Sequence, residues 1–186
     1  MLNKLLDTDL YDTNFIDKYE RSPIFYSVLR GDYKMAKAFV KKASFLDFED
    51  VYQKVLIDYA RDGSSPRILK LLVESGATLG KSLSKGIELL FLSVEHGWND
   101  LFKILIKKGV PIGSINKKVS FVCFMMKTGD NVLMLSHQMK NTEVFDFIVQ
   151  SSETLIFSRT EETTLHTILI KVVLAQDLDS VKKILT

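Results

Sequence analysis

A two-part unit that recurs along the sequence constrains the fold of this chain more than any other feature. Each copy has a short apolar run, a break at a small or turn-forming residue, and then an amphipathic run. Four copies begin at Ser22, Leu56, Gly86 and Gly129, and a fifth begins at Thr163. One such unit cannot bury its apolar face alone, so neighbouring copies have to stack to form a core.

The breaks between the two runs set the period of the repeat. They fall at Gly31, Gly63, Gly97, Lys140 and Asp177, so the successive spacings are 32, 34, 43 and 37. The third interval contains an insertion of about ten residues and the fourth one of about four or five. Glycine at the end of a helix favours the left-handed backbone that turns the chain into the next helix. We therefore predict two helices per copy and an all-α fold.

Two tetrapeptides give the chain a resemblance to a known family. Ser22-Pro23-Ile24-Phe25 and Thr163-Thr164-Leu165-His166 precede the breaks in the way that the T-P-L-H motif does in the ankyrin repeat. The chain resembles this family over nearly its whole length. The Ser22 hydroxyl is expected to cap the first helix, and Pro23 suits the first helical position. The resemblance implies an ankyrin-type α-solenoid of about five stacked helix-turn-helix repeats with short fingers.

These repeats are predicted to form a single domain over residues 1–186. Their approximate bounds are 1–21 (partial), 22–53, 54–87, 88–130 with the insertion, 131–162 and 163–186 (partial). The insertion, between Gly113 and Asp130, either packs an extra helical turn on the stack or exposes an apolar patch to a partner.

The second helix of each copy is expected to bury a stripe of side chains at positions i, i+3 and i+4. The stripe is Met35, Ala38 and Phe39 in copy one, Leu101, Ile104 and Leu105 in copy three, and Val144, Phe147 and Ile148 in copy four. In the first helices, an apolar contact is expected to replace the hydrogen bond of the histidine that the ankyrin family has there. The residues in that slot are Phe25, Ile57, Phe91 and Met134.

The sequence contains no pattern of catalytic or metal-binding residues. His96, His137 and His166 lack a partner at metal-ligand spacing, and Cys123 lies in an apolar run without a histidine nearby. A phosphate-binding loop and the H-E-x-x-H motif are missing too. The acidic residues around Asp50 lack the spacing of a calcium loop and are interpreted as solvated loop residues. We expect a non-enzymatic chain without a cofactor or metal.

Composition narrows the class of partner. The chain has 25 Lys and Arg residues against 23 Asp and Glu residues, and this balance argues against nucleic acid and acidic membranes. Its most apolar stretches run about eight residues, against roughly 18–20 for a membrane span. A single cysteine cannot form an internal disulfide and is typical of a reducing compartment. We expect a cytosolic, monomeric protein that binds another protein.

The resemblance also implies where that partner binds. In ankyrin repeats it meets the concave groove, which the finger tips and the exposed ends of the first helices form. The matching positions here are Lys18, Tyr19, Arg21, Leu29, Arg30, Gln53, Arg61, Asp62, Lys85, Glu95, His96, Lys127, Asp130, Gln138 and Met139. Aromatic and guanidinium groups anchor interfaces because they bury much area or pair bidentately with carboxylates. The first expected anchors of this kind are Tyr19, Arg21, Arg30 and Arg61.

Two function classes follow from these observations. The first is a binding module without catalysis of its own, the target-recruiting part of a larger protein. The alternative is a regulatory domain of a larger enzyme. The partial repeats at both ends favour a piece of a longer protein, which agrees with either class. The repeats depart from the usual ankyrin motif and are rich in Lys, Ile, Phe and Asn. In this they resemble ankyrin proteins of intracellular pathogens, and the ankyrin domains of OspC-type effectors are one similar case. That resemblance implies a virulence effector that transfers ADP-ribose and captures a host caspase in the host cytosol.

Overall fold

The structure, a computed structural model, describes residues 12–42, 45–79, 83–112, 131–151 and 177–185. Every regular element in these ranges is an α-helix, which confirms the predicted all-α fold class. The chain divides into two compact units, Met1–Gly86 and Ile87–Thr186, and a single domain over 1–186 stays a prediction. The insertion, the start of the N-terminal partial repeat and the copy-five motif at Thr163 lie outside the described residues.

The described part of the first unit contains two helical hairpins. Their helices are α1 (Pro23–Leu29), α2 (Tyr33–Lys42), α3 (Leu56–Asp62) and α4 (Pro66–Glu74). Within the hairpins α1 contacts α2 and α3 contacts α4, while α1 also packs on α3 and α2 on α4. Equivalent helices of the two copies therefore stack on each other, as the repeat predicts. The segments before the hairpins, residues 12–22 and 45–55, are the first and second fingers.

In the second unit, the second helices of successive copies also pack on one another. Helix α5 begins in the first unit and ends in the second, and in the described residues four further helices follow it. The bounds of these five helices are Leu83–Glu95 (α5), Asn99–Lys107 (α6), Val132–Gln138 (α7), Thr142–Ser151 (α8) and Leu178–Leu185 (α9). Helix α8 packs on α7 of its own copy and also contacts α6 and α9, the second helices of the neighbouring copies.

The turns inside the hairpins follow a stricter period than the sequence predicts. Positive φ angles occur at Gly31 (68°), Ser64 (47°), Gly97 (68°) and Lys140 (54°). The predicted break at Gly63, where φ is −81°, is therefore wrong by one residue. With Ser64 in its place, the interval from Gly31 to Ser64 equals the interval from Ser64 to Gly97. Lys140 keeps the turn geometry of copy four although it is not a glycine.

The same shift moves the histidine slot of copy two from Ile57 to Asp58. Ile57 is buried, and so is Asp58, but the carboxylate of Asp58 has polar partners. It accepts hydrogen bonds from the Val55 backbone N–H at 3.1 Å and from Lys85 Nζ at 2.6 Å. The predicted apolar contact in this slot is therefore wrong for copy two, since a buried acid takes part in hydrogen bonds there.

Asp177, predicted as the break of copy five, lies one position later in the pattern. Its Oδ1 accepts the backbone N–H of Ser180 at 3.1 Å. Asp32, which follows the Gly31 break, accepts the N–H of Met35 in the same way at 3.0 Å. Asp177 is thus the capping residue of α9.

The predicted side-chain cap of α1 is also wrong. Ser22 is the N-cap residue, but its buried hydroxyl makes no cap hydrogen bond and has no partner within the described part of the chain. Pro23 opens the helix as predicted. The equivalent residue of copy four, Asn131, does cap its helix, because its side chain accepts the Met134 N–H at 2.8 Å.

The buried stripe of the second helices is rotated relative to the prediction. Its buried members are Ala36 and Phe39 in α2, Leu101, Phe102 and Leu105 in α6, and Val144, Phe145 and Ile148 in α8. The remaining predicted members, only half-buried, are Met35, Ala38, Ile104 and Phe147. Helices α2 and α8 each pack on the first helix of their own hairpin and on the second helix of a neighbouring copy. Two packing partners turn the buried stripe towards positions i, i+1 and i+4.

Replacing Gly31 with Ala is expected to lower the free energy of unfolding by about 1–2 kcal/mol, because an L side chain is strained in the left-handed region. A Cβ added there meets no atom within 4 Å, so the loss is conformational. Gly31→Asn is the matched control, since Asn tolerates this region better and should lose less. Urea denaturation followed by circular dichroism measures both variants. Equal losses for Ala and Asn would contradict the prediction.

Candidate protein-binding surface

The first finger ends in a turn that closes on its own aspartate. Asp17 Oδ1 accepts the backbone N–H groups of Tyr19 at 2.8 Å and Arg21 at 2.9 Å. The Asp17 N–H donates to the Arg21 carbonyl at 3.0 Å, and Glu20 between them has a φ of 59°. Because the side chain satisfies the backbone of the turn, the finger tip keeps one conformation without a helix or strand.

The second finger repeats this turn in the next copy. Asp50 Oδ1 accepts the backbone N–H groups of Tyr52 at 3.0 Å and Lys54 at 3.1 Å. The two turns read D-K-Y-E-R and D-V-Y-Q-K in the sequence. The Val51 N–H donates to the Tyr19 carbonyl at 3.2 Å and joins the second finger to the first.

Asp50 is the centre of a polar network that connects both fingers to α3. Its Oδ2 accepts hydrogen bonds from Arg21 Nε at 2.9 Å, Arg21 Nη2 at 2.8 Å and the Tyr59 hydroxyl at 2.5 Å. The Tyr59 hydroxyl accepts in turn from Arg21 Nη2 at 2.8 Å. The Asp50 side chain is fully buried and that of Arg21 is 15% exposed. A buried charge is tolerated here because it is both paired and hydrogen-bonded.

The network holds these groups in one protonation state. Burial raises the pKa of Asp50, but hydrogen bonds from Tyr59, Arg21 and the turn backbone outweigh it, and the pKa lies below its ordinary value. The hydrogen bond to Asp50 raises the pKa of Arg21. Burial, and then the hydrogen bond to Asp50, raise the pKa of Tyr59. The carboxylate and the guanidinium therefore stay charged, and the phenol stays protonated.

Asp17 makes the equivalent bond in the first copy. Its Oδ2 accepts a hydrogen bond from the hydroxyl of Tyr26 on α1, and Tyr26 holds the position in copy one that Tyr59 holds in copy two. This bond lowers the pKa of Asp17 and raises that of Tyr26. Each of the first two copies therefore ties a finger aspartate to a tyrosine of the following first helix.

Three tyrosine rings surround the guanidinium of Arg21. Its Cζ lies 5.4 Å from the ring centroid of Tyr19, 5.5 Å from that of Tyr52 and 5.3 Å from that of Tyr59. Cation–π attraction contributes about 0.5–1 kcal/mol per contact at partly exposed sites. Arg21, predicted as a first anchor for a partner, thus already holds aromatic groups of its own unit in place.

The other predicted partner-binding residues of the first unit differ in exposure. The exposed ones are Lys18 and Gln53 in the fingers, Leu29 and Arg30 at the end of α1, and Asp62 at the end of α3. Tyr19 and Arg61 are half-buried. Asp62 pairs with Lys54 at 2.8 Å, and Lys85 pairs with the buried Asp58. That these residues bind a partner stays a prediction.

In the second unit, His96 follows α5 and stacks on Trp98, with ring centroids 4.8 Å apart and an interplanar angle of 25°. The remaining predicted residues of this unit that the structure describes are Glu95, Gln138 and Met139. Gln138 is exposed, and Glu95 and Met139 are half-buried. Lys127 and Asp130 lie outside the described residues.

Two of the exposed aromatic side chains of this surface lie at positions that the sequence does not predict. Tyr26 is 42% exposed and Tyr52 is 62% exposed, yet neither was among the predicted residues. The interpretation of Asp50 as a solvated loop residue was also wrong, since its exposed fraction is only 3%. The signal that identifies all three is a pattern that recurs in both copies, an aspartate with a tyrosine two positions later and a second tyrosine nine positions later.

Other chemistry is not evident in the described ranges. No group of three or more His, Cys, Asp or Glu side chains there is arranged to hold a metal ion. None of the helices in those ranges is long and apolar enough to cross a membrane.

Comparisons with known proteins support the fold without identifying a family. No protein-family model matches the chain, and no curated protein matches its sequence. Among solved structures, the chain is similar to the ankyrin repeat domain of human ASB11, with a TM-score of 0.53 and 15% sequence identity. The match covers 97% of this chain and 75% of that chain. At this identity the likeness shows the fold alone, and it confirms the predicted ankyrin-type fold.

Replacing Asp50 with Ala is expected to lower the free energy of unfolding by about 3 kcal/mol, because it leaves the largely buried Arg21 guanidinium unpaired and two turn N–H groups unsatisfied. Asp62→Ala is the matched control, since it removes the exposed ion pairs with Lys54 and Arg61 and should lose at most about 1 kcal/mol. Urea denaturation of the two variants and the wild type gives both differences. A loss at Asp50 no larger than that at Asp62 would refute the assigned role.

The lowered pKa of Asp50 also predicts a pH dependence. Because the folded pKa lies below the ordinary value of 3.8, the network stabilises the fold fully above the unfolded pKa. This stabilisation is lost as the pH falls through the folded pKa. Asp50→Asn should therefore show a shallower loss of stability below about pH 5 than the wild type. Some dependence of stability on pH remains in this variant, because four other carboxyl groups also have lowered pKa values. They are those of Asp17, Asp62, Glu143 and Asp177. Parallel curves of urea midpoint against pH would contradict this prediction.

Proposed function

We propose that this chain is a protein-interaction module that recognises a partner protein through the finger tips and the ends of the first helices in its first unit. One observation carries the proposal, the exposure of large apolar and aromatic side chains at these positions. Apart from Phe15, Ile16 and Phe45, which the fingers also expose, they are Tyr26 (42%), Leu29 (45%), Val51 (47%) and Tyr52 (62%). Soluble proteins bury such groups where they can, so several exposed together indicate a contact surface.

These side chains are connected through described contacts. Tyr26 and Leu29 lie one helical turn apart on α1 and therefore on the same face of that helix. Tyr26 bonds to Asp17, whose carboxylate also holds the backbone of Arg21. The guanidinium of Arg21 in turn lies against the ring of Tyr52 in the second finger. The helix end and the finger therefore contribute to one surface.

The surface is also fixed before a partner arrives. The finger turns are closed by Asp17 and Asp50, and the Tyr26 hydroxyl is hydrogen-bonded within the unit. Binding therefore loses little conformational entropy at these residues, which favours affinity. The ankyrin-repeat fold of ASB11 agrees with an interaction module in general.

The predictions about catalysis, location and oligomeric state belong to the same proposal. We propose that the chain has no catalytic activity, acts in the cytosol and is monomeric. The host partner, the effector origin and the regulatory role in a larger enzyme rest on the sequence resemblance alone.

The proposal predicts that Leu29→Ala combined with Arg30→Ala weakens partner binding at least tenfold, about 1.4 kcal/mol, because both exposed side chains lie at the contact. The matched control combines Lys34→Ala and Glu74→Ala, exposed positions on the second helices α2 and α4. A partner captured from cytosolic extract is purified, and its affinity for each variant is measured by titration calorimetry. Unchanged affinity for the Leu29 and Arg30 variant, or an equal loss in the control, would refute the surface.

A further inference from the structure

We infer that the second helices of the first unit, α2 and α4, bind an acidic segment of a partner protein through Lys37 and Arg67. This site lies on different helices from the finger surface, so it goes beyond the proposed function and does not depend on it. The inference rests on a comparison between copies of the repeat. In the second unit the chain supplies a carboxylate of its own at this place, and in the first unit a cation takes the position of that carboxylate.

Carboxylates connect the second helices of successive copies in the second unit. Glu143 on α8 accepts hydrogen bonds from Lys103 Nζ and Asn99 Nδ2 of α6, each at 2.6 Å. Asp146, one turn further along α8, pairs with Lys183 of α9, also at 2.6 Å. Helix α8 packs on both α6 and α9. Each cation of these pairs therefore has an acid on the next second helix.

The equivalent place in the first unit has no such acid. Counted from the positive-φ residue of each hairpin turn, Tyr33 takes the position of the asparagine, Lys37 that of the lysine and Arg67 that of the glutamate. Lys37 Nζ and Arg67 Cζ each lie 5.9 Å from the centroid of the Tyr33 ring. Within the described ranges no carboxylate pairs with either cation. Two cations thus lie beside one ring where α2 packs on α4.

The charges of α2 and α4 favour an acidic ligand. The two helices have six cations and one acid, whereas α6, α8 and α9 together have four of each. The cations are Lys34, Lys37, Lys41, Lys42, Arg67 and Lys70, and the acid is Glu74. Asp32, just before α2, is exposed and accepts the Met35 N–H at 3.0 Å. Even with both acids counted, the face is strongly basic, so charge complementarity points to an acidic segment.

A carboxylate suits this place because the same fold already binds one at the equivalent place of the second unit. Arg67 and Lys37 are exposed, and a guanidinium pairs bidentately with a carboxylate. Contact with the Tyr33 ring holds both cations near each other before a ligand arrives, which lowers the entropy lost on binding. Single ion pairs between exposed groups are weak, so the ligand has to present several carboxylates, as a Glu- or Asp-rich segment does.

The test titrates the full chain at low ionic strength with a short, labelled oligoglutamate peptide and follows fluorescence anisotropy. The control probe is an oligoglutamine peptide of the same length, which has amides in place of the charges. The expected result is saturable binding of oligoglutamate alone, lost in about 1 M salt, where the Debye length is about 3 Å. Absence of saturable binding, or tighter binding of an oligonucleotide of equal charge, overturns the inference.

Two charge reversals locate the binding. Arg67→Glu places a carboxylate where copy four has Glu143, so it should weaken oligoglutamate binding at least tenfold. Its urea midpoint should stay the same or rise, because the new side chain can pair with Lys37. Lys108→Glu, at the exposed C-cap of α6, changes the net charge equally and should stay within about twofold of the wild type. Equal losses in the two variants, or none at Arg67, would overturn the inference.

A milder change keeps the test decisive if Arg67→Glu destabilises the fold. Arg67→Gln removes only the charge and should weaken oligoglutamate binding at least about threefold, with unchanged circular dichroism. Unchanged binding by this variant also counts against the site. The Leu29 and Arg30 variant keeps Lys37 and Arg67 and should bind the peptide within about twofold of the wild type. Failure of this inference therefore leaves the proposed function as it stands.

Discussion

The buried carboxylate of Asp50 is the interaction on which the fingers of the first unit depend. A finger contains no helix, so its backbone groups have no regular ladder of hydrogen bonds to satisfy them. Asp50 accepts two N–H groups of its own turn, the guanidinium of Arg21 from the preceding finger and the hydroxyl of Tyr59 from α3. One side chain thereby fixes both fingers against a helix, and the exposed Tyr52 depends on it for its position.

Contacts that recur from copy to copy make the repeat a structural unit as well as a sequence pattern. Buried serines lie at equivalent places in three first helices, where each hydroxyl donates to the carbonyl three residues earlier. They are Ser27, Ser93 and Ser136, with oxygen–oxygen distances of 2.7, 2.6 and 2.8 Å. Each serine lies four residues before the positive-φ residue of its hairpin turn, which is Gly31, Gly97 or Lys140. A small side chain that is satisfied within its own helix leaves no buried polar group in need of a partner on the neighbouring element.

The helices can be predicted from the sequence because an apolar period of 3.6 residues and a glycine break are local signals. The error at Gly63 arises because Ser64, a poor candidate for left-handed backbone, is the residue that turns. The φ of Ser64 and the bond from the Ser65 N–H to the Ala60 carbonyl, at 3.0 Å, show this in the folded chain. The site is harder to predict, because Asp50 resembles any loop acid. Its burial comes from Arg21, which is 29 residues away in the chain and contacts it only in the folded unit.

The tyrosines of the first two copies do not recur in the third. In copy three, the positions equivalent to Tyr52 and Tyr59 are Lys85 and Leu92, and they extend no aromatic surface. Lys85 is instead paired with the buried Asp58, and Leu92 is buried. A buried aspartate of copy two is therefore paired with a lysine at the start of α5, so that a largely buried ion pair links these neighbouring segments where the tyrosines are absent.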